Sequence, residues 1–326
     1  DQSPSRWVIN FKDWPLDKST AHEAYQGPVA ADYPDCLEVV ESLVKPERDK
    51  LKTGDATARD RAKRWWQFGR PTITLYHAIS PMERVIVVAQ VSRTLAFAFT
   101  NTEQVLDAKL IAFCLNQSFH LAIMQSVFHF CWSWKYCTTM KADLSYTPTA
   151  LFQTFPFPPG FEPNSSSASS APLRDTLDSL GSQLDAARRE IMLRLDIGLT
   201  KLYNLYHTQN LDAAAVIQES KCSAADADWA VPKILALREI HKAIDEAVRD
   251  AYGWNDLPLQ HGFHELEFLP ENDRIRYTIS NDARRIILRE LLALNHKRHA
   301  EEVAAGLVDE KGKPSKSKDS SMQKKR

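Results

Sequence analysis

Hydrophobic spacing along the chain changes period more than once. Residues 7–11 (WVINF) alternate briefly and predict a short strand. Leu37, Val39, Val40, Leu43 and Val44 recur among polar residues, which predicts a helix over 32–44 capped near Asp32. A basic-aromatic stretch, RDRAKRWWQF, covers 59–68 and ends at Gly69 and Pro71. Then the period shortens. Residues 84–91 (RVIVVAQV) are dense in β-branched side chains and predict a strand, with 95–100 (LAFAFT) as its partner and 110–115 (LIAFCL) as a third. From 117 to 134 the apolar positions Phe119, Ile123, Val127, Phe130 and Trp134 suit one long helix. Residues 146–159 (YTPTALFQTFPFPP) are Pro-rich and aromatic, which predicts an extended, turning segment packed on a core. PNSSSASSAP at 163–172 reads as a flexible linker, and helical spacing dominates afterwards, over 173–206, 231–252 and 280–304. Ser280 is the expected N-cap of the last helix.

These elements predict an α+β chain. Residues 1–44 form an N-terminal segment, 45–160 a mixed α/β domain, 161–172 a linker, 173–305 a mainly α-helical C-terminal domain, and 306–326 a disordered basic tail. A length of 326 residues suits such a division. No apolar run reaches the roughly 18 residues of a membrane span, so no membrane partner is expected. The first residues, DQSPS, resemble no signal peptide and include no Met, which predicts a longer parent protein. The five cysteines include no C-x-x-C, so neither zinc nor a disulfide framework is expected and the cytoplasm is the expected compartment. Cys114 and Cys131 sit among apolar residues and are expected to pack in a core.

Charge sharpens the picture. The net charge is −1, yet residues 45–141 hold 14 Lys/Arg against 7 Asp/Glu, and residues 142–310 hold 17 against 26. A basic block inside a folded region is a candidate polyanion surface, or else an ordinary solvated face. Within it, Arg61 and Arg64 lie beside Trp65 and Trp66, with Arg70 in the turn beyond. They suit phosphate contact, while the tryptophans are better read as buried. Gln90, Ser92 and Arg93 stand at a strand end, where Arg suits guanine and Gln suits adenine in the major groove. Lys135, Lys141 and Asp143 flank a second loop, with Asp143 able to accept from cytosine N4. Either group can equally be an exposed turn. The tail 311–326 can add salt-dependent DNA affinity or simply solubilise the chain.

Two other patterns are weaker. His261-Gly262-Phe263-His264-Glu265 spaces its histidines at i+3 rather than the i+4 of a zinc helix, so a packed loop is the better reading. Pro34-Asp35 and Glu219-Ser220-Lys221 match the halves of a nuclease motif but lie too far apart to be read together.

Four stretches together carry a family resemblance: RWWQFGRPTITLYHAISPMERVIVVAQVSRTLAFAF (64–99), KADLSYTPTALFQTFPFP (141–158), EIMLRLDIGLTKLYNLYH (190–207) and ILALREIHKAIDEAVRDAYGWNDLPLQHGFHE (234–265). In order and spacing the chain is similar to the C-terminal half of type IIG/IIL (MmeI-like) restriction-modification methyltransferases and related phage-defence methyltransferases. The resemblance implies that residues 1–44 are the end of a connector from a methyltransferase domain, that 45–160 are a target-recognition domain for duplex DNA, and that the helices that follow brace it against that methyltransferase domain. It implies adenine-N6 methylation with S-adenosylmethionine, held by that other domain. The family's Asn-Pro-Pro-Tyr/Phe motif and Gly-rich cofactor turn have no counterpart in this sequence, so no catalytic residue is expected here. The alternatives are a separate DNA specificity subunit and a helical scaffold whose basic block is incidental.

Overall fold

The computed structural model describes residues 6–70, 72–163 and 171–309. Most of the expected linker and nearly all of the expected tail lie outside them. The chain forms two compact units: a smaller one from residues up to 85 plus 100–107, and a larger one from 86–99 plus 108 onward. The Pro-rich segment 146–159 and the C-terminal helices therefore share one unit, because Phe97, Tyr146 and Phe157 belong to the same buried cluster as Leu184, Leu237 and Ile287.

The smaller unit is helical. It contains α1 (Pro34–Leu43), α2 (Lys45–Asp49), α3 (Ala56–Lys63) and α4 (Ile73–Ile79). Proline in the first turn starts α1 and α2, where a missing N–H costs nothing. Asp55 caps α3 by accepting from the Ala58 amide at 2.7 Å. Phe11, Ala30, Val40 and Trp65 form its core, with Trp66 packed against them. The Trp14 carbonyl accepts from both Trp66 Nε1 and Gln67 Nε2 at 2.9 Å. The strand expected over 7–11 is not present, since no neighbouring strand pairs with it. Only Phe11 of that stretch is buried, and Trp7 is fully exposed.

Next come β1 (Arg84–Ala89), β2 (Val91–Ser92), β3 (Ala98–Asn101) and β4 (Leu110–Phe113). One sheet has the order β3-β1-β4, with Ile86 opposite Phe113 and Ala89 opposite Leu110 in antiparallel register. The expected partner strand begins late: Leu95 takes φ +49° and the Phe97 amide donates to Gln125 Oε1 instead of to a ladder. Helices α5 (Ser118–Gln125) and α6 (Val127–Tyr136) replace the single long helix expected. Ser126 is extended between them, and the Val127 amide donates to Asp245 at 2.8 Å, a cap supplied from far along the chain. The strands β5 (Thr138–Met140) and β6 (Asp143–Ser145) complete a second sheet of order β2-β6-β5. Cys131 is core and its thiol is pushed up to about 12 by burial, but Cys114 is exposed, contrary to expectation.

After α7 (Pro148–Leu151) the chain is mainly helical: α8 (Ala171–Leu195), α9 (Leu199–Tyr206), α10 (Ala213–Ser220) and α11 (Ala224–Ala251). A two-stranded hairpin of β7 (Gly262–Glu265) and β8 (Ile275–Thr278) precedes α12 (Asn281–Ala304). Ser280 caps α12 as expected, accepting from the Ala283 amide. Helix α8 packs on α5 so closely that a Cβ at Gly181 would sit 2.0 Å from the Ser118 carbonyl oxygen. Gly181→Ala is therefore expected to destabilise the protein by about 1–3 kcal/mol through overpacking, despite alanine's better helix propensity. A denaturant midpoint equal to wild type would show that α5 yields without cost.

Candidate nucleic-acid interface

The second sheet holds the strand-borne candidates of the larger unit. Gln90 sits between β1 and β2 with its backbone fixed on both sides: its amide donates to the Lys109 carbonyl and its carbonyl accepts from the Tyr146 amide, each at 2.7 Å. Its exposed side-chain amide has no hydrogen-bond partner among the described residues. Ser92 pairs with Leu144 across the sheet, and its hydroxyl accepts from the Thr94 amide at 3.1 Å. A tight turn through Lys141, at φ +57°, joins β5 to β6 and leaves Lys141 and Met140 exposed. Lys135 is exposed at the end of α6, just before β5. A narrow hairpin with polar side chains on a fixed backbone has the dimensions to enter a major groove.

Arg93 has a different environment from the open strand end expected. Its Nε donates to Asp143 Oδ1 at 2.9 Å and a terminal nitrogen donates to Asp273 Oδ2 at 2.8 Å. Arg276, largely buried, holds the other oxygen of Asp273 at 2.6 Å. Charges alternate along Asp143–Arg93–Asp273–Arg276, so the Arg93 guanidinium is committed to two carboxylates. The geometry makes Arg93 the anchor of Asp143 on β6. Asp273 belongs to this constellation although it lies 130 residues beyond Asp143 in sequence, where no local pattern announces it.

In the smaller unit, Arg64 terminates α3 and binds Asp60, with a further bond from its terminal nitrogen to Gln67 at 3.2 Å. The hydrogen bond to Arg64 holds the Asp60 carboxyl below its ordinary range. Arg70 is exposed. Arg61 is half-buried, and its Nε has no hydrogen-bond partner among the described residues. Trp65 is core, with Lys45 over its ring at 4.9 Å, so the indoles are packing groups as the sequence suggested.

His261 and His264 hold loop structure. His261 Nε2 meets Asp245 at 2.9 Å and His264 Nε2 meets the Gln260 carbonyl at 2.9 Å. Among the described residues, no group of three or more His, Cys, Asp and Glu has metal-site geometry. No helix among them is long and apolar enough to cross a membrane.

The smaller unit thus bears the half-buried Arg61 and the exposed Arg70, and the larger unit bears a small hairpin sheet with Lys141 exposed at its turn. Residues 30–159 match the family model of the MmeI target recognition domain, and the sequence resemblance holds over that stretch. The solved structure of the type IIL restriction-modification enzyme MmeI in complex with DNA is similar to 84% of this chain and 28% of that one, with a TM-score of 0.50 and 12% identity. At that identity the likeness is one of fold. It extends past the matched domain, and the chain spans less than a third of that protein's length. No curated protein matches the chain.

Proposed function

We propose that this chain is the DNA sequence-recognition portion of a site-specific adenine-N6 DNA methyltransferase of a restriction-modification or phage-defence system. The observation that carries this reading is the hairpin sheet β2-β6-β5 within the matched recognition domain. It presents Gln90 and Lys141 outward and holds Asp143 by Arg93. In this reading, base edges meet these side chains and the basic residues of the smaller unit meet phosphate, which fixes register without reading sequence.

Methyl transfer falls to a methyltransferase domain, upstream in the same polypeptide or in a separate chain, working in the cytoplasm. S-adenosylmethionine would supply the methyl group there. The described residues of this chain do not fit that cofactor. Their sheets are small and antiparallel where described, with no Gly-rich turn leading from strand to helix. A surface pocket beside Trp254 and Glu290 has a volume of about 200 Å³, below the roughly 300–1,000 Å³ of small-molecule sites. In this reading the chain binds DNA and leaves methyl transfer to that other domain.

The test is selection of random duplexes by the purified chain, followed by titration of the winners at two salt concentrations. A defined recovered sequence, bound about 10³-fold or more tighter than random duplex, is expected. Recovery of no preferred sequence would overturn the reading and favour a scaffold.

A further inference from the structure

We propose that Arg48 and Arg61 form a phosphate-binding pair closing over Gly69 in the smaller unit. Arg48 comes from α2 and Arg61 from α3. A Cβ on residue 69 would lie 3.1 Å from Arg48 Nη1 and 3.3 Å from Arg61 Nε, so both guanidiniums converge on the space that glycine leaves open. Most of the neighbouring cations are occupied, while Lys63 and Arg70 are exposed and make no salt bridge among the described residues. Lys45 pairs with Glu41, Lys50 with Glu47, Lys52 with Asp49 and Arg64 with Asp60, while Arg59 donates to the Gly54 carbonyl. Among the described residues, neither Arg48 nor Arg61 has a carboxylate in ion-pair range.

Two like charges drawn to one point repel unless an anion lies between them. Half-burial of both side chains strengthens that repulsion relative to open water. Paired guanidinium forks match a tetrahedral oxyanion, to which they donate several charge-assisted bonds at once. The ligand is therefore a phosphate group. Its assignment to a DNA backbone phosphodiester rests on the proposed function; the site itself does not.

The experiment has two arms. In the first, duplex binding is titrated against salt for wild type, Arg48→Ala, Arg61→Ala and the double variant. If both side chains grip one phosphate, each single variant loses roughly tenfold in affinity with the slope of log K against log salt nearly kept. The double variant alone then lowers that slope by about 0.9. Slopes lowered by about 0.9 in each single and about 1.8 in the double would mean two separate phosphates, and would overturn the pair. Arg48→Lys, which keeps the charge, controls for folding: its slope stays and its affinity falls.

In the second arm, thermal midpoints are compared in inorganic phosphate and in chloride at equal ionic strength. Wild type is expected to gain more from phosphate than the double variant does, since a ligand of the native state raises its midpoint. This arm needs no DNA, so it stands if the chain proves not to bind duplex. Phosphate stabilisation with unchanged duplex slopes would assign the site to a free phosphate group. No differential effect in either arm overturns the proposal.

Discussion

Asp273→Ala is expected to cost about 3 kcal/mol of stability and to weaken base discrimination. The carboxylate of Asp273 lies between Arg93 and Arg276, and the Arg276 side chain is only 8% exposed. Burial lowers the Arg276 pKa, and Asp273 opposes that shift. Removing the acid leaves a buried cation without its counter-ion, a loss worth about 3–5 kcal/mol in comparable pairs. Partial exposure of Arg93 makes its own share small. Urea unfolding measures the effect, and the double variant Asp273→Ala, Arg276→Met should recover most of it. An unchanged midpoint in the single variant would mean that the charge chain contributes nothing. The functional arm compares the selected duplex with its single-base variants. Arg93 keeps its Nε bond to Asp143 but loses the second carboxylate that holds its guanidinium in place, so Asp143 is held less firmly and preference at one base pair should fall by a share of the roughly 1–3 kcal/mol a good pair supplies. Uniform weakening on every sequence would remove Asp143 from base reading.

The second large effect is acid instability beginning near pH 6.5. Four histidines of the larger unit are held below their ordinary range, chiefly by burial: His120 at about 4, His129 and His241 at about 3, and His207 well below. His129 donates from Nδ1 to the Met124 carbonyl and accepts from the Tyr146 hydroxyl, and His241 accepts from Tyr203, bonds that suit neutral rings. Between pH 6.5 and 5 the unfolded chain takes up protons that the folded chain refuses. Stability is thus complete above the unfolded value and falls as pH falls. Each histidine contributes up to about 1.4 kcal/mol per pH unit, so four give a slope near 5 kcal/mol per unit. Asp245, whose carboxyl burial raises, titrates in the opposite sense and softens the slope at the acid end. A urea midpoint constant from pH 7 to pH 5 would show these rings to be protonated in the fold.

The sequence carried the elements whose signals are local. Ser280 announced its helix because a cap is chosen by the residues beside it, and Val85 to Val88 announced a strand because β-branched side chains crowd there. Ser126 announced nothing: it carries neither glycine nor proline, and the helix breaks there because Asp245 captures the next amide. Asp212 and Ser223 cap α10 and α11, and both were legible signals that the apolar spacing obscured. The candidate site divides the same way. Gln90 was read from a strand end and Lys141 from the flank of a loop, and the structure leaves both side chains exposed. Arg48 carries no local signal, since Glu47 and Asp49 flank it in sequence and only the fold turns those acids to Lys50 and Lys52. The commitment of Arg93 to Asp273 spans 180 residues, which no window can register.

The division of the chain bears on how such a protein can be recombined. The smaller unit needs residues 100–107 as well as everything before 85. Thr102 holds the Met82 carbonyl with its hydroxyl, and the Leu106 amide meets the Tyr76 hydroxyl. A single genetic crossover after Val85 would give a hybrid whose helices come from one parent and whose return segment comes from the other. The hairpin sheet is split as well, with β2 in the stretch before that return and β5 and β6 after it. A crossover between Arg93 and Asp143, by contrast, would set a β2 from one parent against a β6 from another, and Arg93 would have to find its acids by chance. Viable exchange of either part requires paired breakpoints that keep each set of partners together.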